Sequence, residues 1–228
     1  MTGLLVLAAS DNTLQLSVSG GGSTSVKLFL LMTLLSFAAA LLLSITSFAR
    51  IVIVLSFVRQ GLGTPQLPPN PVMLGLAMAL TGFVMAPTGS QVWTTALSPY
   101  LEDRITHTEA LELASGPVRA FLLKHVRTAD LELFYEVSNA PRPEVEDEVA
   151  LQVLVPAFMV SELTTAFRMG LYVLVPMLLI DLLVASILMS LGMMMVPPTL
   201  VSLPLKVGVF LLAGGWHLIV ESVLRSFA

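Results

Sequence analysis

The stretch from Leu151 to Leu191 runs for about 40 residues with only three charged side chains, and it constrains the fold more than any other part of the chain. Roughly 20 apolar residues are enough to cross a bilayer as a helix, so this segment is too long for one straight crossing. Pro156 and Pro176 provide places for kinks. Its charges, Glu162, Arg168 and Asp181, are costly in apolar surroundings unless paired, so each marks a functional or assembly contact. At roughly 100° per residue Glu162 and Arg168 fall on different faces, as do Arg168 and Asp181, and their partners must come from elsewhere.

Three further apolar segments share this character: residues 28–58, residues 72–97 with an interruption expected around Pro87, Gly89 and Ser90, and residues 200–227. A chain that is 56% hydrophobic and 11% charged lies far outside the range of ordinary soluble domains. The expected class is all-α, made of membrane-associated helical hairpins. The lone Arg50 near the end of the first apolar stretch reads most simply as a side chain snorkelling to the interface.

Eleven of the fifteen carboxylates and five of the eleven basic residues are gathered between Pro99 and Ala150, which makes that segment the aqueous part. Its acidic excess, against Lys27, Arg50 and Arg59 at the ends of the first apolar stretch, orients it away from the cytoplasm, on the periplasmic side. Short helices are expected there. Thr106 and Glu109 form a capping box for a helix ending at Gly116, and Pro117 starts a second helix over residues 118–127 with Val118, Phe121, Leu122 and Val126 on one face. Thr128 or Asp130 caps a third, carrying Phe134. Phe121 and Phe134 are packing positions. Residues 139–148 form a Pro-rich acidic linker, and residues 1–25 a flexible tail with a possible signal remnant. The organisation is therefore a tail (1–25), an apolar hairpin (26–98), a charged helical segment (99–150) and a second apolar hairpin (151–228).

Within the last hairpin lies Leu191-Gly192-Met193-Met194-Met195-Val196-Pro197-Pro198. Consecutive prolines cannot continue a helix, so the chain turns over residues 192–198. Methionine is unusual in a turn. Three flexible thioethers are costly to expose to water, and copies of such a loop around an axis would form a deformable, water-excluding collar. Asp181, eleven residues before Gly192, and Lys206, eight after Pro198, lie about 12 to 17 Å from the hairpin tip and can meet at one depth, within one chain or between neighbouring copies. Trp216, His217 and Arg225 suit an interface anchor.

Several chemistries find no support. The chain has no cysteine, which rules out disulfides, iron–sulfur clusters and thiolate zinc sites. His107, His125 and His217 form no metal-binding pairing, so neither a metal nor another cofactor is expected. A net charge of −4 argues against nucleic acid. Glu162 and Asp181 do not make a catalytic carboxylate pair, because nineteen residues of helix put them about 28 Å apart. No nucleophile elbow or P-loop is present, and the chain is not read as an enzyme. A small-solute channel or transporter is the alternative that composition alone favours, although residues 28–97 and 151–227 show no internal repeat of the kind many transporters carry.

SFARIVIVLSFVRQGLGTPQLPPNPVMLGLAM, ALELASGPVRAFLLKHVRTADLELF, PAFMVSELTTAFRMG, IDLLVASILMSLGMMMVPP and LPLKVGVFLLAGGWHLIVESVLRSF together resemble the FliP family of flagellar biosynthesis proteins and its type III secretion counterparts. The resemblance runs in order from about Ser25 to Phe227. It implies a pore-forming subunit of the flagellar protein-export gate in the bacterial inner membrane, within the flagellar basal body. The same resemblance implies a ring, five-membered in the family, assembled with FliQ and FliR near FlhB and FlhA and passing unfolded export substrates. Met193, Met194 and Met195 would then be a gasket in the pore. Glu162, Asp181, Lys206, Arg168, Arg127, Phe121 and Phe134 would be subunit or helix contacts. The apolar hairpins would pack largely out of the membrane plane.

Overall fold

The computed structural model describes residues 23–138 and 149–228. The expected tail before residue 23 and the acidic linker over 139–148 lie outside the described residues. Among the described residues the fold is all helical. The described residues divide into two units, one ending at Leu41 and the other beginning at Leu42.

Most of helix α1 (Ser23–Ser44) belongs to the first unit. It exposes large apolar side chains including Phe29, Leu30, Met32, Leu35 and Phe37. Two of its hydroxyls bond back to the helix: that of Thr33 donates to the Phe29 carbonyl (2.8 Å) and that of Ser36 to the Met32 carbonyl (2.9 Å). Over Val26–Ser44 the helix is long and apolar enough to cross a membrane.

The expected apolar segment over residues 28–58 is broken. Helix α1 stops at Ser44 and α2 (Phe48–Gly61) starts anew, and only α2 has a heavily buried face. Ile51, Val54, Leu55 and Val58 recur at helical spacing and are almost fully buried. They belong to clusters shared with α7 (Leu151–Ser190), whose Val153, Leu154, Phe158, Ala166 and Met177 are also buried. Each large side chain so buried contributes about 1.5–3 kcal/mol of hydrophobic stabilisation. Gly170 of α7 permits the close approach of Phe57, because a Cβ there would lie 2.4 Å from the Phe57 ring. Helix α7 continues unbroken through Pro156 and Pro176.

Helix α3 (Asn70–Val92) passes through Pro87. The expected interruption lies further on, as a π-helical turn at Trp93–Leu97 leading into α4 (Ser98–Leu101). Such a turn absorbs one extra residue without ending the helix. The whole Asn70–Leu101 stretch is long and apolar enough to span a bilayer, as is α7.

In the charged segment Thr106 caps α5 (His107–His125), its Oγ1 accepting from the Glu109 amide at 3.3 Å. The expected division at Gly116-Pro117 does not occur, and α5 continues through both residues. Proline costs one hydrogen bond there, while Phe121 and Leu122 one turn on are buried in the core that holds the helix in place. Helix α6 (Thr128–Ser138) includes Thr128, so neither Thr128 nor Asp130 stands before it as a cap. Asp130 turns its carboxylate to the Ser161 hydroxyl of α7 instead (2.7 Å).

The last apolar segment is also two helices, α8 (Thr199–Leu212) and α9 (Gly215–Arg225), bent by 62°. Gly214 makes the bend at φ +65°, a left-handed conformation other residues adopt at a cost. The Trp216 indole then packs edge-on against Phe210, centroids 5.4 Å apart. Trp216 is thus half-buried in the chain's own core, whereas His217 and Arg225 stay exposed beside Glu221.

Candidate functional site

The turn between α7 and α8 begins with a glycine-based helix stop. Gly192 takes φ +76°, the Met193 amide donates to the Leu188 carbonyl (2.9 Å), and the Gly192 amide to that of Met189 (3.0 Å). This pair of bonds satisfies the last carbonyls of α7 and reverses the chain. A second tight turn follows, closed by the Val196 amide on the Met193 carbonyl (3.2 Å), and Pro198 leads into α8. With the backbone occupied in this way, the three thioethers project outward. Met193 is 44% exposed, Met194 83% and Met195 97%. Three adjacent apolar side chains so exposed are an unsatisfied surface in a lone chain.

Behind the tip the hairpin is pinned by charge. Lys206 Nζ of α8 contacts Asp181 Oδ2 of α7, an ion pair made within one chain. The lysine is buried, the aspartate about one-third exposed. Both line a cavity of about 280 Å³ between the loop after α2, α7 and α8, with Gly63, Leu178 and Ser202. Asp181 Oδ1 has no hydrogen-bond partner among the described residues.

A second pair lies deeper. Arg50 of α2 and Glu162 of α7 form a two-pronged ion pair, with Arg50 Nε donating to Glu162 Oε2 at 2.9 Å and a guanidinium nitrogen on Oε1. Arg50 does not snorkel: it is 3% exposed and Glu162 is 0% exposed. Its remaining guanidinium nitrogen donates to the carbonyl (3.0 Å) and the hydroxyl (2.9 Å) of Ser226. The fork geometry of arginine satisfies the carboxylate and the turn after α9 at once. Sequence reasoning missed this partnership. The available signal was that Arg50 and Glu162 are both lone charges in apolar stretches, each needing a partner.

Of the other predicted contact residues, Arg127 is tied to the head of α6. Its guanidinium lies 3.8 Å from Asp130, and its amide donates to Ser161 Oγ at 3.0 Å. Phe121 is buried between α5, α7 and the turn after α9, 6.0 Å from Phe158 and 6.4 Å from Phe227 by ring centroid. Phe134 is half-buried against the same core. Arg168 stands exposed with no ion pair among the described residues. No group of three or more potential metal ligands occurs among the described residues.

Burial pushes the His125 imidazole below its ordinary pKa, against the pull of hydrogen bonds to the Phe121 and Phe227 carbonyls and with the help of the nearby cations Arg50 and Lys124.

Residues 31–223 match the family model described as the FliP family. The chain is 49% identical to the flagellar biosynthetic protein FliP of Bacillus subtilis over 205 residues, covering 90% of this chain and 93% of that protein. It is 48% identical to the protein of the same name from Pectobacterium carotovorum over 211 residues, covering 92% and 82% of the two chains. With that of Aquifex aeolicus it shares 44% identity over 205 residues, 89% of this chain and 86% of the relative.

Proposed function

Because the chain belongs to the FliP family, we propose that it is a pore-forming subunit of the flagellar type III export apparatus in the bacterial inner membrane. The observation that carries this reading is the methionine turn, fixed in its backbone and open in its side chains. Copies arranged around an axis would bring Met193, Met194 and Met195 together as a soft collar. Thioethers are flexible and polarizable, so such a collar excludes water and small ions when closed and deforms around a passing unfolded chain. The assembly is a ring, five-membered in this reading, completed by FliQ and FliR and adjoining FlhB and FlhA. The charged segment faces the periplasm.

The predicted contact residues divide by what each already touches. Arg50 with Glu162, and Asp181 with Lys206, act as interhelix pins that hold the hairpin bearing the turn. Phe121 and Arg127 fix α5 and α6 on that frame. Arg168 and the free side of Phe134 are left for neighbouring subunits and partners. The apolar faces of Asn70–Leu101 and of α7 meet lipid or other helices of the assembly.

The absence of native cysteine allows a direct test. In Met194→Cys chains co-produced with the export partners, oxidation is expected to cross-link copies through the turn. A control cysteine at Leu133 on the exposed side of α6 should not cross-link in this way. Equal cross-linking at both positions, or none at Met194→Cys in an intact complex, contradicts a convergent collar.

A further inference from the structure

The chain contains twelve methionines and no cysteine, so thioethers are its only sulfur groups open to oxidation. Their surroundings divide them. Met73 and Met177 are buried. Met32, Met78, Met159 and Met189 are exposed, but each lies on a helix long and apolar enough to cross a membrane. Met193, Met194 and Met195 stand apart. Among the described residues they are the only methionines outside a helix, and exposure rises along the turn until Met195 is almost fully open.

The sulfur atoms of this turn carry none of its fold. Its shape is set by main-chain bonds, with the Met193 amide on the Leu188 carbonyl, the Gly192 amide on that of Met189 and the Val196 amide on that of Met193. Gly192 supplies the positive φ, and two prolines follow. A change in side-chain chemistry therefore leaves the backbone of the turn in place. At Met177, packed with Val58, Leu62 and Phe210, an added oxygen would instead force a polar group into the core.

A thioether is a two-electron reductant. An oxygen-atom donor such as hydrogen peroxide, little larger than water, can approach from the aqueous face of the turn. A sulfur lone pair attacks one peroxide oxygen, and the S–O bond forms as the O–O bond breaks. The proton on the transferred oxygen passes to the departing hydroxide, which leaves as water. Sulfur is oxidised to the sulfoxide and the peroxide is reduced. The product replaces a soft apolar tip with a hydrated S=O group. A sulfoxide accepts hydrogen bonds and donates none, so copies gathered around an axis offer one another no partner. Water has to remain among them.

We propose that Met193, Met194 and Met195 form a redox modification site, and that their conversion to methionine sulfoxide by a peroxide-class oxidant opens the seal. The inference rests on the collar reading above and adds to it a means of regulation. The oxidant changes the collar without unfolding the hairpin, because the main-chain bonds that shape the turn are untouched.

The test uses the full chain co-produced with its export partners, in proteoliposomes loaded with potassium and treated with hydrogen peroxide. Peptide mass spectrometry reads the oxygen added at each methionine, and potassium release reads the seal. Met194 and Met195 are expected to oxidise roughly tenfold faster than Met73 and Met177, with potassium release rising as they do. Met193→Leu, Met194→Leu and Met195→Leu combined keeps apolar side chains of similar volume without sulfur, and this variant is expected to release no more potassium after peroxide than before. Turn methionines that oxidise no faster than Met73 and Met177 overturn the proposal and leave the collar reading standing. Full oxidation of the turn without added release does the same, provided that Met193→Ala, Met194→Ala and Met195→Ala combined leaks. If that alanine variant is as tight as the parent, the collar reading falls and the proposal falls with it. Equal peroxide-induced release from the leucine variant also overturns the proposal, since the leak then arises elsewhere.

Discussion

Arg50 and Glu162, 112 residues apart in the chain, form an ion pair that is sealed from water on both sides. It joins α2 to α7 across the interface that contributes most of the core, and through Ser226 it brings in the turn after α9. Removing one partner leaves a buried charge with no compensation. Arg50→Ala and Glu162→Ala are each expected to lower stability by about 3–5 kcal/mol. Arg50→Ala combined with Glu162→Ala should cost less than the sum of the single changes, since neither charge is then stranded. Thermal unfolding of the four proteins in detergent measures this cycle, and additive losses would show that the two side chains do not act as a pair.

The Asp181–Lys206 pair is expected to respond unevenly. Asp181→Ala leaves the buried Lys206 ammonium alone and should cost on the order of 3 kcal/mol. Lys206→Ala leaves a carboxylate that water can reach through the cavity, and about 1 kcal/mol is expected. Recovery of the assembled complex after detergent extraction should fall in the same order. Wild-type recovery from Asp181→Ala would show that the pair does not support the hairpin in the assembly.

Gly170→Ala tests the close contact of α2 with α7. The added methyl group would meet Phe57 at its Cβ as well as its ring, so rotation of the phenyl alone cannot relieve the overlap. The expected loss is about 1–3 kcal/mol, partly restored by Phe57→Ala in the same chain. A Gly170→Ala protein with parental melting behaviour would mean that the helices separate there without cost.

Tyr135 is 8% exposed, and its hydroxyl has no hydrogen-bond partner among the described residues. Tyr135→Phe should therefore be neutral or stabilising by up to about 1 kcal/mol. Burial holds the phenol above its ordinary pKa of 10.0. Because the folded state keeps the proton longer, stability should fall as pH rises through the unfolded value toward the folded one. The phenylalanine variant should lose less across that alkaline range. An equal alkaline loss in both proteins would assign the effect to other groups.

Much of this architecture can be read from local pattern. The apolar segments, the Thr106 cap and the turn at Gly192 depend on residues close in sequence, where propensity and proline chemistry act directly. The helix ends were less legible. Pro87, Pro117, Pro156 and Pro176 all lie inside helices, because packing of the neighbouring turns outweighs one lost hydrogen bond. The breaks instead occur after Ser44 and at Gly214, where an apolar run offers little periodic contrast to betray them.

For the candidate site, the depth match of Asp181 and Lys206 followed from helix rise alone, since both sit on one hairpin. The Arg50–Glu162 pair and the packing of Phe121 and His125 around Phe227 did not follow. They assemble from α2, α5, α7 and the turn after α9, and no sequence spacing encodes that long-range arrangement.

The most direct measurement is ion leakage through cells that produce this chain together with its export partners, comparing the parent with Met193→Ala, Met194→Ala and Met195→Ala combined. Because the substitutions lie on an exposed turn whose main-chain bonds they leave in place, the fold should survive them. The account predicts a sealed membrane with the parent protein and a leaking one with the triple variant. Tight membranes in both, with secretion unaffected, would contradict it and assign the methionines to packing or to lipid.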